Sequence, residues 1–228
     1  MSHIADNIRY FDEQLKNTPA RLVAVTKTHS VETIKEAYDA GHRIFGENKV
    51  QELVDKYALL PHDIEWHLIG HLQTNKVKYI SDFIDTIQSV DSLKLLAEIN
   101  KRAEQRNRTT PINCMLQLSI ADEETKFGMT YDEAVALLQS DDYRNMHYIR
   151  ITGVMGIATN TDDQDKLRNE FRQLRSYFEQ LKETFFFANP DFKDISMGMT
   201  SDWQLALEEG STMIRVGSGI FGSRNYNK

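Results

Sequence analysis

The chain has 228 residues, 40% hydrophobic and 27% charged, with a formal net charge of −7. That balance suits a globular domain and leaves no basic surplus to neutralise phosphates along a nucleic acid. A small anionic ligand stays open, because it needs only local positive charge and backbone N–H groups.

Cys114 is the single cysteine, so no intrachain disulfide forms and a structural thiolate metal site is not expected. The opening residues, MSHIADNIRYFDEQL, carry neither the basic segment nor the apolar segment of a secretory signal. No apolar stretch approaches the ~20 residues that span a bilayer. A soluble, cytoplasmic protein without a membrane partner is expected.

Ile4, Ile8, Phe11 and Leu15 form one apolar stripe at helical spacing, which predicts an N-terminal helix. Eight short apolar runs then predict strands over residues 21–26, 43–46, 64–69, 83–89, 112–119, 149–153, 193–197 and 213–216. Helical patterns separate them. Asp91 is placed to cap a helix through Leu93 and Ile99, and Thr130 with Glu133 fits a capping box. Leu167, Phe171, Leu174, Phe178 and Leu181 share one helical face, and the run 185–187 of three phenylalanines after it reads as packing. No low-complexity run marks a linker, so residues 1–228 read as one domain. Eight strands alternating with helices imply parallel βα units, and eight of them close a single α/β (β/α)8 TIM barrel with an extra N-terminal helix. An open doubly wound sheet is the alternative.

In such a barrel the functional site lies at the carboxyl ends of the strands. Lys27 follows the apolar run Leu22-Val23-Ala24-Val25. A lysine there either loses hydration, which lowers its pKa and readies the amine for a carbonyl, or reaches out to solvent. The last two strands lead into loops where barrels often hold phosphate. Gly198 precedes Thr200 and Ser201, which are placed to cap a helix through Trp203, and Gly217-Ser218-Gly219 offers N–H groups and a hydroxyl. Arg215, within the last apolar run, needs an acceptor: a carboxylate, a ring nitrogen or a phosphate. Asn48, Gln73 and Asn75 would fix a ligand or satisfy loop backbone, and Lys126-Phe127-Gly128 would join the site or form a turn. His67 and His71 are four apart, but Trp66-His67-Leu68-Ile69 reads as strand and no third ligand follows, so no metal is expected. His67 is expected inside the barrel and His71 near its rim. Lys49, Lys76 and Lys78 would make a second phosphate patch or ordinary solvated surface.

Several of these stretches together resemble the YggS/PROSC (PLPBP) family of pyridoxal phosphate homeostasis proteins. They are Ala24-Val25-Thr26-Lys27, Phe45-Gly46-Glu47-Asn48, the run 66–76 (WHLIGHLQTNK), Gly153-Val154-Met155-Gly156, Ser196-Met197-Gly198-Met199, and Arg215 through Gly222. The resemblance runs from the first strand to the last. It implies a barrel like the N-terminal barrel of alanine racemase, of fold type III, with pyridoxal 5′-phosphate held as an aldimine on Lys27. It also implies Arg215 facing the pyridine nitrogen, and phosphate held by Thr200 with Gly217, Ser218 and Gly219. Asn48, His71, Met155 and Ser196 would lie near the cofactor. Two departures stand out: Lys49 replaces the aromatic residue usual after Gly-Glu-Asn, and Thr200 and Ser218 exchange the usual serine and threonine, which keeps both hydroxyls.

The resemblance implies a carrier that buffers and delivers the cofactor, with PLP-dependent apoenzymes as its clients and no robust catalysis. An arginine beside the ring nitrogen opposes the proton that makes the ring a strong electron sink. A chain of this length, filled by eight βα units, is not expected to add the second domain that completes the racemase site. The alternatives are a minor amino-acid racemase or related enzyme, a Schiff-base aldolase on the same lysine, and a protein-binding scaffold.

Overall fold

The computed structural model describes residues 3–121 and 127–222. Its strands are β1 (Arg21–Val25), β2 (Ile44–Glu47), β3 (Glu65–Leu68), β4 (Thr86–Val90), β5 (Ile112–Gln117), β6 (Ile149–Met155), β7 (Asp194–Met199) and β8 (Met213–Val216). All eight predicted runs become strands. They follow one another in parallel around a closed barrel, and β8 returns to β1 with Arg21 beside Met213 and Ala24 beside Val216. Closure removes the sheet edges that an open doubly wound sheet would leave.

The N-terminal helix α1 (His3–Leu15) buries Ile8, Phe11 and Leu15 of the predicted stripe. It packs on β1, on α2 (Val31–Asp39) and on α9 (Ser218–Phe221). The helix after β8 is thus one turn long, and α1 completes the outer ring in its place. Asn7 Nδ2 donates to the Ile220 carbonyl at 2.8 Å, tying α1 to α9.

Between these lie α3 (Val50–Tyr57), a 3₁₀ turn (Thr74–Tyr79), α4 (Leu93–Gln105), α5 (Tyr131–Gln139), α6 (Asp141–Arg144), α7 (Gln164–Phe185) and α8 (Trp203–Glu208). The capping box of Thr130 and Glu133 starts α5 as predicted, and the five-residue face of α7 is buried. The cap of α4 is corrected by one residue. Ser92, not Asp91, holds the N-cap and accepts from Leu95 N–H, because Asp91 turns to His71. Of the phenylalanine run, Phe186 stacks on Phe192 while Phe187 is exposed. Among the described residues no helix is long and apolar enough to cross a membrane.

The main core lies between the barrel and its helices, with a small second cluster of Val23, Met115, Met155 and Met213. Alternation along a strand puts residues two apart on one side, so Arg215 follows Met213 on β8 and Val25 follows Val23 on β1, with Gly217 and Lys27 just past the two strand ends.

Candidate functional site

A cavity of about 360 Å3 opens at the carboxyl ends of β1, β2, β7 and β8. Val25 and Lys27 enter it from β1, Asn48 from β2, and Ile69 from just past β3. Ile157, beyond β6, adds a second apolar wall, and Met199, Thr200 and Ser201 come from β7. Arg215, Gly217 and Ser218 complete it from β8. Because β1 lies between β2 and β8, the order around the mouth is Asn48, Lys27, the Gly217–Ser218 loop, then Thr200.

The loops after β7 and β8 are joined, with Gly217 N–H donating to Thr200 Oγ1 at 3.4 Å. Ser218 and Gly219 open α9, where the first N–H groups of a helix have no partner within it. A Cβ on Gly219 would come within 2.9 Å of Val216 Cγ1 and 3.2 Å of Thr200 Cγ2, so glycine is what lets the two loops meet. The expected role of Thr200 and Ser201 as helix caps is corrected. Asp202 holds the N-cap position of α8, and its Oδ1 accepts from Met199 N–H at 2.5 Å. The two hydroxyl-bearing residues border the cavity instead.

Arg215 is buried, and its Nη1 and Nη2 donate to Ser196 Oγ at 2.6 Å and to the Gly156 carbonyl at 2.9 Å. Burial pushes the guanidinium pKa down to about 10, against the pull of Asp202, so it stays charged at neutral pH. Behind it runs a directed chain of hydrogen bonds. Ser196 Oγ donates to Gln88 Oε1 at 2.6 Å, and Gln88 Nε2 donates to His67 Nδ1 at 2.8 Å. Nε2 of the neutral His67 ring then carries the proton and faces Asp85 Oδ1 at 3.8 Å. Glu65 joins His67 and Asp85 in one cluster, but a protonated Nε2 offers no lone pair to a metal.

Ser196→Ala leaves the charged Arg215 short of an acceptor. It is expected to cost about 1.5–3 kcal/mol in urea unfolding; an unchanged midpoint would show that Arg215 finds another partner.

His67 is almost wholly buried, and burial lowers its pKa to about 4. The unfolded chain, with a histidine pKa of ~6.5, then binds the proton more tightly than the folded one. Stability is therefore full above that value and falls as pH drops from 6.5 towards 4, by about 3 kcal/mol. His67→Gln is expected to flatten this slope in unfolding midpoints measured across that range. A slope that survives the substitution would place the titration elsewhere.

Of the residues singled out from sequence, Lys27, Asn48, Thr200, Ser201, Arg215, Gly217 and Ser218 line the cavity. Ser196 lies behind Arg215, Met155 is buried in the small interior cluster, and Gly219 sits in the first turn of α9. His71 is not among the lining residues. Its Nδ1 lies 3.1 Å from Asp91 Oδ2 and its ring stacks on Phe127 at 4.1 Å. Lys126 is outside the described residues. Gly128 belongs to the turn before Thr130, next to the bridge between Leu118 and Met129. Lys49 is exposed at the start of α3, and Lys76 and Lys78 lie over the Tyr79 ring. Val25, Ile69 and Ile157, the apolar walls, were not singled out; their signal was position, at or just past a strand's carboxyl end.

A closed parallel barrel with a cavity at the carboxyl ends of its strands is shared with known proteins. The family model described as alanine racemase, N-terminal domain, matches residues 1–225. The chain is 38% identical to the pyridoxal phosphate homeostasis protein of Pasteurella multocida, over 100% of this chain and 97% of that protein. PipY of Synechococcus elongatus, solved without pyridoxal phosphate, superposes with a TM-score of 0.87 at 35% identity, covering 96% of this chain and 100% of that one. The structure of PipY with pyridoxal phosphate bound gives 0.85 at 34%. Alanine racemase of Bartonella henselae shares the fold alone, at 13% identity and a TM-score of 0.71, with 97% of this chain on 63% of that one. The chain belongs to the alanine racemase N-terminal domain family and, within it, to the pyridoxal phosphate homeostasis proteins.

Proposed function

We propose that the cavity binds pyridoxal 5′-phosphate through a covalent bond to Lys27, and that the chain carries and delivers this cofactor in the cytoplasm without robust catalysis of its own. The observation that carries the reading is one cavity bordered by a lysine amine and by the joined Thr200 and Ser218 loops. The cofactor supplies an aldehyde that condenses with a primary amine, forming a carbon–nitrogen double bond and releasing the carbonyl oxygen as water.

The residues present fit that group. The volume falls within the range of about 300–1,000 Å3 for small-ligand sites. Thr200, Ser201, Ser218 and the N–H groups of α9's first turn offer uncharged donors for phosphate. Val25, Ile69 and Ile157 give apolar contact for a ring. Asn48 Oδ1 is buried without a hydrogen-bond partner, an acceptor that a bound hydroxyl would satisfy. Arg215, cationic and fixed by two acceptors, is a donor to an unprotonated ring nitrogen and opposes a proton there.

A carrier fits the site better than a racemase. Racemisation needs acid and base groups on both faces of the substrate. Among the described residues lining the cavity, Lys27 is the one side chain suited to that task, because the others are apolar, amide, hydroxyl or guanidinium. PLP-requiring apoenzymes are the partners such a carrier would serve.

The test loads the protein with pyridoxal phosphate and mixes it with a PLP-requiring apoenzyme and an excess of free-aldehyde trap. The carrier reading expects apoenzyme activity to return, and expects no Lys27-dependent loss of α-hydrogen from amino acids in deuterated water. Rapid Lys27-dependent exchange would replace it with the racemase reading.

A further inference from the structure

The segment that presents Lys27 is held from outside the cavity. Immediately after Lys27, Thr28 has φ 69°, a left-handed conformation that a β-branched residue keeps only where its surroundings impose it. His29 N–H closes a turn on the Thr26 carbonyl at 3.0 Å, and an ionic group centred on a buried ammonium braces that turn. Lys56, on α3, is 5% exposed. Its Nζ donates to the Thr26 carbonyl at 2.7 Å, to Glu47 Oε1 at 2.6 Å and to Glu52 Oε1 at 2.6 Å.

Each carboxylate also takes hold of the loop. Glu47, the last residue of β2, is fully buried and accepts from Thr26 Oγ1 at 2.5 Å through the same oxygen. Glu52 Oε1 accepts from Thr28 N–H at 2.5 Å. The two peptide groups that flank Lys27 are therefore gripped one on each side, by the carbonyl before it and the N–H after it.

Burying Glu47 and Lys56, with Glu52 partly exposed beside them, carries a desolvation cost that apolar packing would avoid, so stability alone is a weak reason for the group. Burial raises the Glu47 pKa, with Lys56 opposing it. None of the three residues lines the cavity. What they fix is the direction in which the backbone hands Lys27 to it.

We propose that Glu47, Lys56 and Glu52 form a clamp on the peptide groups either side of Lys27, and that they are positioning residues for its bond to the cofactor aldehyde. The inference rests on the reading of Lys27 as the attachment residue.

The test uses the full chain with Lys56→Met and Glu52→Ala, each alone and with Lys27→Ala. Glu52 is partly exposed, so Glu52→Ala leaves the buried Lys56–Glu47 pair in place and serves if Lys56→Met fails to fold. Without cofactor, hydrogen exchange at the Thr28 amide is expected to speed up at least about tenfold while the barrel strands keep their protection. With cofactor, each clamp variant is expected to weaken pyridoxal phosphate binding about tenfold when Lys27 is present, as misplaced reacting groups do. It is expected to change nothing in the Lys27→Ala background. Glu52→Gln, which keeps an acceptor oxygen, is expected to restore most of both signals.

Equal loss of binding in the two backgrounds, or unchanged Thr28 exchange, overturns the clamp. Failure of the underlying reading looks different: borohydride then leaves no pyridoxyl adduct on Lys27 even in the unsubstituted protein, and the clamp falls with it. If the clamp alone fails, that adduct forms normally.

Discussion

Lys27→Ala is expected to remove the visible absorption of the pyridoxal phosphate-loaded protein and to weaken cofactor retention at least about a hundredfold, or about 2.8 kcal/mol. Its amine is the one primary amine among the described residues lining the cavity, so no neighbour inherits the bond. The remaining binding would rest on Thr200, Ser218 and the first turn of α9, which hold an anion but do not bond to an aldehyde. Equilibrium dialysis with pyridoxal phosphate separates the two contributions. Because Lys27 lies past the end of β1 and is only half-buried, the fold should survive, and the thermal midpoint is the control. Undiminished retention would move the attachment to another lysine.

The second large effect is on the barrel itself. Gly153→Ala is expected to destabilise the protein by about 3 kcal/mol or more. Gly153 pairs with Asp194 across the seam of β6 and β7, and a Cβ there would lie 1.8 Å from the Asp194 carbonyl oxygen and 2.6 Å from its carbon. These are backbone atoms, so the overlap is relieved only by parting the strands. Asp194 also accepts from Arg21 of β1 at 3.1 Å, and the same seam carries Met155 beside Ser196, so the disturbance reaches the support of Arg215. Urea unfolding checks it; an unchanged midpoint would mean that the seam opens without penalty.

The barrel was legible because each strand is a short apolar run between helical patterns, and that contrast is local. Strand ends were less so. The fourth strand was expected from residue 83, yet Phe83 and Ile84 bond back to the Ile80 carbonyl and β4 begins at Thr86. Asp91 and Ser92 are adjacent capping residues, and no local rule chooses between them when a distant histidine claims one.

At the site, Lys27 and the glycine and hydroxyl residues after β7 and β8 were legible from their place at strand ends. The apolar walls were not, since Ile69 and Ile157 look like core residues in sequence. His71 was implied by resemblance, yet it meets Asp91 and Phe127 rather than the cavity. The exchanges at Thr200 and Ser218 keep both hydroxyl-bearing residues on the cavity, whereas Lys49 lies off it. The support beneath the site was least visible. Gln88 meets Ser196 across 108 residues, and Lys56 reads as surface on α3 until its carboxylate partners are in place.

The most direct measurement reduces the pyridoxal phosphate-loaded protein with borohydride and locates the modified residue by peptide mass spectrometry. The expected result is a yellow protein whose colour is lost on reduction, with a single pyridoxyl adduct on Lys27. A protein that stays colourless and unmodified, or one carrying its adduct on another lysine, would contradict it.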